Sequence, residues 1–321
     1  MNLKGYDNMK CLRCGSTIED DAKECKYCGY QVGSNALLKN RKIKEPKKEY
    51  KYEKYQQQEN VEVGFENFNI SAIGHLLLAL GTYFGVSVVY TLIGRLFLRI
   101  YVAIKGISIK DIPDSTLTLI ETVLQVVVYV LAIATVILIL RKNIKKVFGE
   151  FKIKSTWIDA LKYCALMYAS LYVYGIILTI LGIESSSENQ KEVNEMIFNY
   201  PFLAFLFVGI LAPIFEEIVF RLGIFRALSF KNSKLALIAT TIVFALIHMT
   251  LSLANGTFMK DIYSLPSYLI GAFFITYSYY KSKKIATSIC VHSIYNTLSF
   301  ILILISPYIQ PSSEIIKLFL K

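Results

Sequence analysis

Three groups of polar residues sit inside long apolar stretches of this 321-residue chain: Glu216 and Glu217 with Arg221, then Phe244 with His248, then His292 with Asn296. A charged side chain at mid-bilayer costs roughly 2.5 to 3.5 kcal/mol on insertion scales, so three in one segment must face the protein interior or a wet cavity. Carboxylates beside imidazoles are the groups of general acid–base chemistry, and a carboxamide one turn from an imidazole is a pair of hydrogen-bond donors for a developing oxyanion. These residue types therefore point to an intramembrane active or binding site.

The spacing says how helices must present them. In Gly209-Ile-Leu-Ala-Pro213-Ile-Phe-Glu216-Glu217-Ile-Val-Phe-Arg221, proline cannot donate to the carbonyl of Gly209, so a kink or restart is expected there. Glu217 and Arg221, four apart with the acid first, stack as a pair. Glu216 is rotated about 100° from Glu217 and is left to point into a cavity. Glu217 and Arg221 are thus assigned to structure and electrostatics, Glu216 to chemistry. Phe244 and His248 share one helix face, as do His292 and Asn296. At about 1.5 Å per residue, Glu216 and His248 lie roughly 20 Å from the cytoplasmic ends of their helices, and His292 and Asn296 roughly 10 and 16 Å. All fall near mid-membrane. His75, alone in the first span, reads as an ordinary core histidine, and Cys164 and Cys290 as small apolar residues.

The elements that carry these residues are predicted from hydropathy. With 54% hydrophobic and 18% charged residues, the chain is too apolar for a soluble domain of this size. Stretches of the required length of about 20 residues run near 70–92, 117–140, 157–182, 199–228, 235–254, 263–280 and 285–306. The expectation is an all-α polytopic membrane protein of about seven to eight transmembrane helices. The first stretch stays apolar to about Val102, as one tilted helix or a span plus an interfacial segment. The net charge of +11 is distributed as topology dictates. Lys39 to Lys48, Arg141 to Lys146, Arg226 to Lys234 and Lys281 to Lys284 fall on one side under strict alternation. That places the N-terminus in the cytoplasm and the protein in a cell membrane. The first 69 residues hold no apolar core segment, so the first span is expected to direct insertion.

The N-terminus is of a different kind. Cys11-Leu-Arg-Cys14-Gly15 and Cys25-Lys-Tyr-Cys28-Gly29 are two knuckles that together offer four thiolates to one tetrahedral Zn²⁺. Four cysteines leave no open position, so this zinc is structural, holding a module too small to fold by its core alone. Residues 1–33 form this zinc ribbon, 34–68 a basic and polar linker, and 69–321 the membrane domain. The mixed charge of the knuckles argues against nucleic acid and for a protein contact or a folded cap. The linker's basic half suits an anionic leaflet or a solvated tether.

The ordered set Glu216-Glu217-x-x-x-Arg221, Phe244-x-x-x-His248 and His292-x-x-x-Asn296 on successive helices resembles the CPBP family, the type II CAAX prenyl protease and bacteriocin-processing membrane proteases, also called ABI. The resemblance covers about residues 196–306. Leu222 stands where the family usually has glycine, with Gly223 one residue later. The resemblance implies an endopeptidase cutting a membrane-associated peptide or protein, in a chain that looks bacterial. The residues suit Glu216, hydrogen-bonded with His248, as the base for a water, and His292 with Asn296 as oxyanion donors. Three alternatives stand beside this: Glu216, His248 and His292 as zinc ligands, a transporter or proton relay, and a non-catalytic bacteriocin-immunity or peptide-binding protein. No second copy of the 209–221 pattern supports a transporter.

Overall fold

The computed structural model describes residues 8–10, 17–19, 70–141 and 144–308. The chain divides into two units, Met1–Glu62 and Val63–Lys321. In the first, β1 (Asn8–Lys10) pairs antiparallel with β2 (Thr17–Glu19), Met9 opposite Ile18. The two strands bracket the first Cys-x-x-Cys-Gly knuckle in sequence. Cys11, Cys14, Cys25 and Cys28, and the linker expected over 34–68, lie outside the described residues.

The second unit is helical. Its long helices are α1 (Ala72–Lys105), α2 (Asp114–Ile139), α4 (Lys154–Ile180), α6 (Pro201–Ser229) and α11 (Ile285–Ile305). These five, α11 continuing to Tyr308, are long and apolar enough to cross a membrane. Between them lie α3 (Ile144–Glu150), α5 (Glu188–Asn199), α7 (Ser233–Ile247), α8 (Thr250–Ala254), α9 (Phe258–Asp261) and α10 (Leu265–Ser282).

The seven expected stretches are all helical, but two differ from simple spans. The stretch expected over 235–254 breaks at His248, which caps the C-terminus of α7. Its 15 residues reach about 22 Å, short of an approximately 30 Å hydrocarbon layer. The stretch expected over 263–280 is α10, 18 residues long and diluted by serines, tyrosines and Pro266. At the first stretch the structure shows one continuous 34-residue helix. Gly106 stops it in the left-handed conformation at φ 65°, its N–H on the Val102 carbonyl.

Hydroxyls within these apolar helices bond to their own backbone four residues back, as Thr82 to Leu78, Ser87 to Tyr83 and Thr122 to Thr118. That is how a polar side chain is satisfied where water is scarce.

α6 is the hub. Half of its most apolar window is buried, against 6% for α1 and 22% for α2. It packs on α1, α2, α7 and α11, while α10 packs on α4, α7 and α11. α11 is held at both ends of its inner half. Glu150 of α3 accepts the Ala286 N–H at 3.0 Å, a cap supplied from another helix where Lys284 gives no side-chain cap. Tyr168 of α4 donates to the Tyr295 carbonyl at 3.0 Å and lies the same distance from the Ser299 hydroxyl.

Candidate active site

Two π-helical stretches, Phe205–Leu211 and Ile218–Phe225, interrupt α6 and flank the α-helical turn that carries Glu216 and Glu217. The first has a cause in the sequence. The Ala212 N–H reaches back to the Phe207 carbonyl, five residues away, and the next residue, Pro213, has no N–H to offer Val208. The Val208 carbonyl is instead bonded by the Asn296 side chain, Nδ2 donating at 2.9 Å. The kink expected at Pro213 is thus a widened turn, sealed from α11. Gly209 allows the approach: a Cβ there would lie 3.1 Å from the Thr297 hydroxyl.

The adjacent carboxylates part company. Glu217 is wholly buried, its Oε2 2.9 Å from Arg221 Nε, and Arg221 is equally buried. The guanidinium carbon stands 4.9 Å over the Phe244 ring, a cation–π contact that Phe244 makes besides packing the wall. The other oxygen, Glu217 Oε1, lies 3.1 Å from His292 Nδ1. A carboxylate only accepts, so Nδ1 carries the hydrogen, and Nε2 is the nitrogen that faces Glu216. Glu217 therefore does more than pair with Arg221: it orients an imidazole.

Glu216, 21% exposed, sits on the other side of that imidazole. Its Oε2 is 3.8 Å from His292 Nε2 and 4.0 Å from His248 Nε2, and has no hydrogen-bond partner among the described residues. The direct Glu216–His248 hydrogen bond expected from the sequence is not present. The carboxylate instead faces two imidazoles at nearly equal range. His248 Nδ1 donates to the Phe244 carbonyl at 2.8 Å, so its Nε2 too is turned toward Glu216. The side chains run Arg221, Glu217, His292, Glu216, His248, drawn from α6, α11 and the end of α7.

Tyr268 of α10 lies beyond the sequence motifs and belongs to the same wall. Its ring is 5.0 Å from that of His248, and its hydroxyl meets Ser187 Oγ at 2.6 Å and Asn189 Nδ2 at 3.2 Å. The start of α5 is thereby tied to the ring against His248. No spacing in the sequence singles out Tyr268 among 22 tyrosines.

A helical membrane unit with a buried carboxylate, imidazole and guanidinium chain defines a polytopic membrane protein with an internal polar site. Residues 198–298 match the Rce1-like type II CAAX prenyl endopeptidase family, which supports for this segment the CAAX protease (CPBP) resemblance carried by its ordered motifs. The chain is 27% identical over 196 residues to the membrane-embedded CAAX protease MroQ of Staphylococcus aureus, covering 57% of this chain and 74% of that one. It is 28% identical over 178 residues to the putative membrane peptidase YdiL of Bacillus subtilis, covering 54% and 68%. An uncharacterized Mycoplasma capricolum protein is 27% identical over 201 residues, covering 60% of this chain and 56% of that one. The chain thus spans little more than half of that relative. No solved structure matches.

Proposed function

We propose that this chain is an intramembrane endopeptidase that hydrolyses a peptide bond of a membrane-associated peptide or protein. The observation that carries the reading is Glu216 Oε2 held 3.8 and 4.0 Å from two imidazole Nε2 atoms within a family of membrane proteases. Those gaps are too long for direct hydrogen bonds and suit one shared water at about 2.8 Å from each group. Glu216 takes the proton of that water as it attacks the scissile carbonyl, with His248 Nε2 aligning the water, and returns the proton to the leaving amine nitrogen as the C–N bond breaks. His292 gives its Nδ1–H to Glu217, so it donates to the oxyanion through Nε2 as the imidazolium. Asn296 is the second donor. Its amide has two N–H bonds; the one on Val208 fixes the direction of the other.

Zinc is the competing chemistry at this site. Glu216, His248 and His292 are the right donor types, but zinc bonds of about 2.0 to 2.2 Å hold neighbouring donors about 3.3 to 3.6 Å apart. The observed 3.8 and 4.0 Å are wider than that, so zinc would need the three side chains to close on it. In the N-terminal unit Cys11, Cys14, Cys25 and Cys28 hold a structural zinc, with a protein contact as the ribbon's use. The membrane unit crosses a bacterial cell membrane with the N-terminus in the cytoplasm and seven spans, α7 together with α8 forming one and α10 another.

The test is the set of new peptide termini in membranes of cells expressing the wild type or Glu216→Gln. Termini that arise with the wild type and vanish in the variant support a peptidase and identify its substrate. Identical termini in both point to the second reading, a peptide-binding or bacteriocin-immunity protein whose pocket holds without cutting.

A further inference from the structure

We propose that His75, outside every motif of the site, is a positioning residue that holds the second π-helical stretch of α6 and through it the Arg221–Glu217–His292 chain. The proposal rests on the peptidase reading only in calling that chain catalytic machinery. His75 lies four positions after the N-cap of α1 and is 1% exposed. Its Nδ1 is 2.5 Å from the carbonyl oxygen of Leu222, in the middle of Ile218–Phe225. A carbonyl only accepts, so Nδ1 carries the hydrogen and donates.

The carbonyl it takes is one that the wide turn passes over. At the end of this stretch the Arg226 N–H is directed at the Arg221 and Gly223 carbonyls, stepping across Leu222 between them. This repeats the logic of the first stretch, where Asn296 of α11 takes the Val208 carbonyl. Each π-helical stretch of α6 is therefore bonded at one carbonyl by a side-chain N–H from a different helix, and the Glu216–Glu217 turn hangs between the two bonds. In a membrane, where water cannot make up a missing donor, such bonds decide whether a widened turn persists.

Gly223 makes the reach feasible. A Cβ there would stand 2.4 Å from the Ala79 Cβ and 3.0 Å from its Cα, so glycine lets α6 lie directly on α1 one turn beyond His75. The glycine at 223 faces Ala79, and the carbonyl before it, at Leu222, is presented to His75. Arg221 immediately precedes Leu222, and its side chain ends on Glu217, which ends on His292. A shift of the Leu222 peptide is a shift of Arg221. Around His75 the charged group in reach is Arg226, and the ring of Phe230 lies 6.0 Å away. Around His292 they are Glu216 and Glu217 of α6, Arg221 behind Glu217, and His248 at the end of α7.

The chain has three histidines, so full-length protein labelled with ¹⁵N-histidine in lipid nanodiscs gives three pairs of ring signals. One pair, absent from His75→Leu, is expected to show a protonated Nδ1 and a bare Nε2. In His75→Leu the His292 pair should leave its wild-type positions, and turnover should fall on the order of 10²-fold. His75→Asn places an amide N–H where Nδ1 stood, so it should restore both; His75→Gln, which mimics Nε2, should not. A merely structural cap would lower the melting temperature and leave the His292 signals in place. The proposal is overturned by an Nε2-protonated His75, by wild-type His292 signals in His75→Leu, or by displaced ones in a folded His75→Asn. If His75→Leu does not fold, the wild-type tautomer and His75→Asn decide. Wild type that shows the tautomer and the coupling but releases no new termini keeps this role for His75 and loses the peptidase. The reverse keeps the peptidase and loses the role.

Discussion

Glu216 and Glu217 are neighbours in sequence with opposite surroundings. Glu217 is dry, with one oxygen ion-paired to Arg221 Nε at 2.9 Å and the other bonded by His292 Nδ1. Glu216 is partly exposed and faces two imidazole nitrogens across gaps that no direct bond closes. A helix turns about 100° between consecutive residues, enough to send one carboxylate into the packed interior and the other to the cavity wall. The lesson is that identical groups acquire separate roles from rotation and burial alone. On the proposed reading, one holds the site in place and the other is free to react.

The sharpest way to break that comparison is to neutralise each acid in turn. Glu216→Gln should reduce turnover by 10³-fold or more, roughly the general-base contribution, with a melting temperature near that of the wild type. Glu217→Gln should lose both stability and turnover. Next in size is Arg221→Met, which strands the buried Glu217 charge at a cost of about 3 to 5 kcal/mol. Adding Glu217→Gln to it should recover part of the loss, measured by thermal unfolding in one detergent. Asn296→Ala should cost about 10²-fold in kcat with KM little changed, because substrate does not bind through the oxyanion. Gly223→Ala should lower stability by about 1 to 3 kcal/mol through the Ala79 contact.

The smallest effect lies away from the site, at Asp261. Burial would push its carboxyl up, but bonds from Ser252 and Thr257, with the Glu188 backbone and Lys191 nearby, bring it below the usual carboxylate range. A carboxyl depressed by folding stabilises the fold above its unfolded value of about 3.9 and loses that contribution as pH falls through the lower folded value. The melting temperature of Asp261→Asn should therefore be lower than wild type at pH 7, and the gap should narrow as pH falls below the ordinary carboxylate value.

Much of the site was legible because its residues are costly where they stand. Charges and imidazoles in apolar helices announce themselves by type, and counting residues from the helix ends already put Glu216, His248, His292 and Asn296 at similar depth. The i,i+4 pairing of Glu217 with Arg221 was legible for the same reason. What was not legible depends on backbone detail. Pro213 signalled an irregularity, but not a π-turn closed by Asn296. His75 looked like a core residue because its partner is a carbonyl 147 positions away, and a carbonyl leaves no mark in a sequence. The break at His248 was hidden by continued hydropathy through Leu253, since apolar content does not reveal where a helix ends.

That water is activated by Glu216 and the two histidines without a bound metal is tested most directly by zinc content and turnover in the full-length chain. The wild type is compared with a variant carrying serine at Cys11, Cys14, Cys25 and Cys28. One zinc in the wild type, none in the variant, and turnover that persists in the variant is the predicted result. Zinc retained by the variant and lost, together with turnover, on His248→Ala would contradict it and make the site a metal centre.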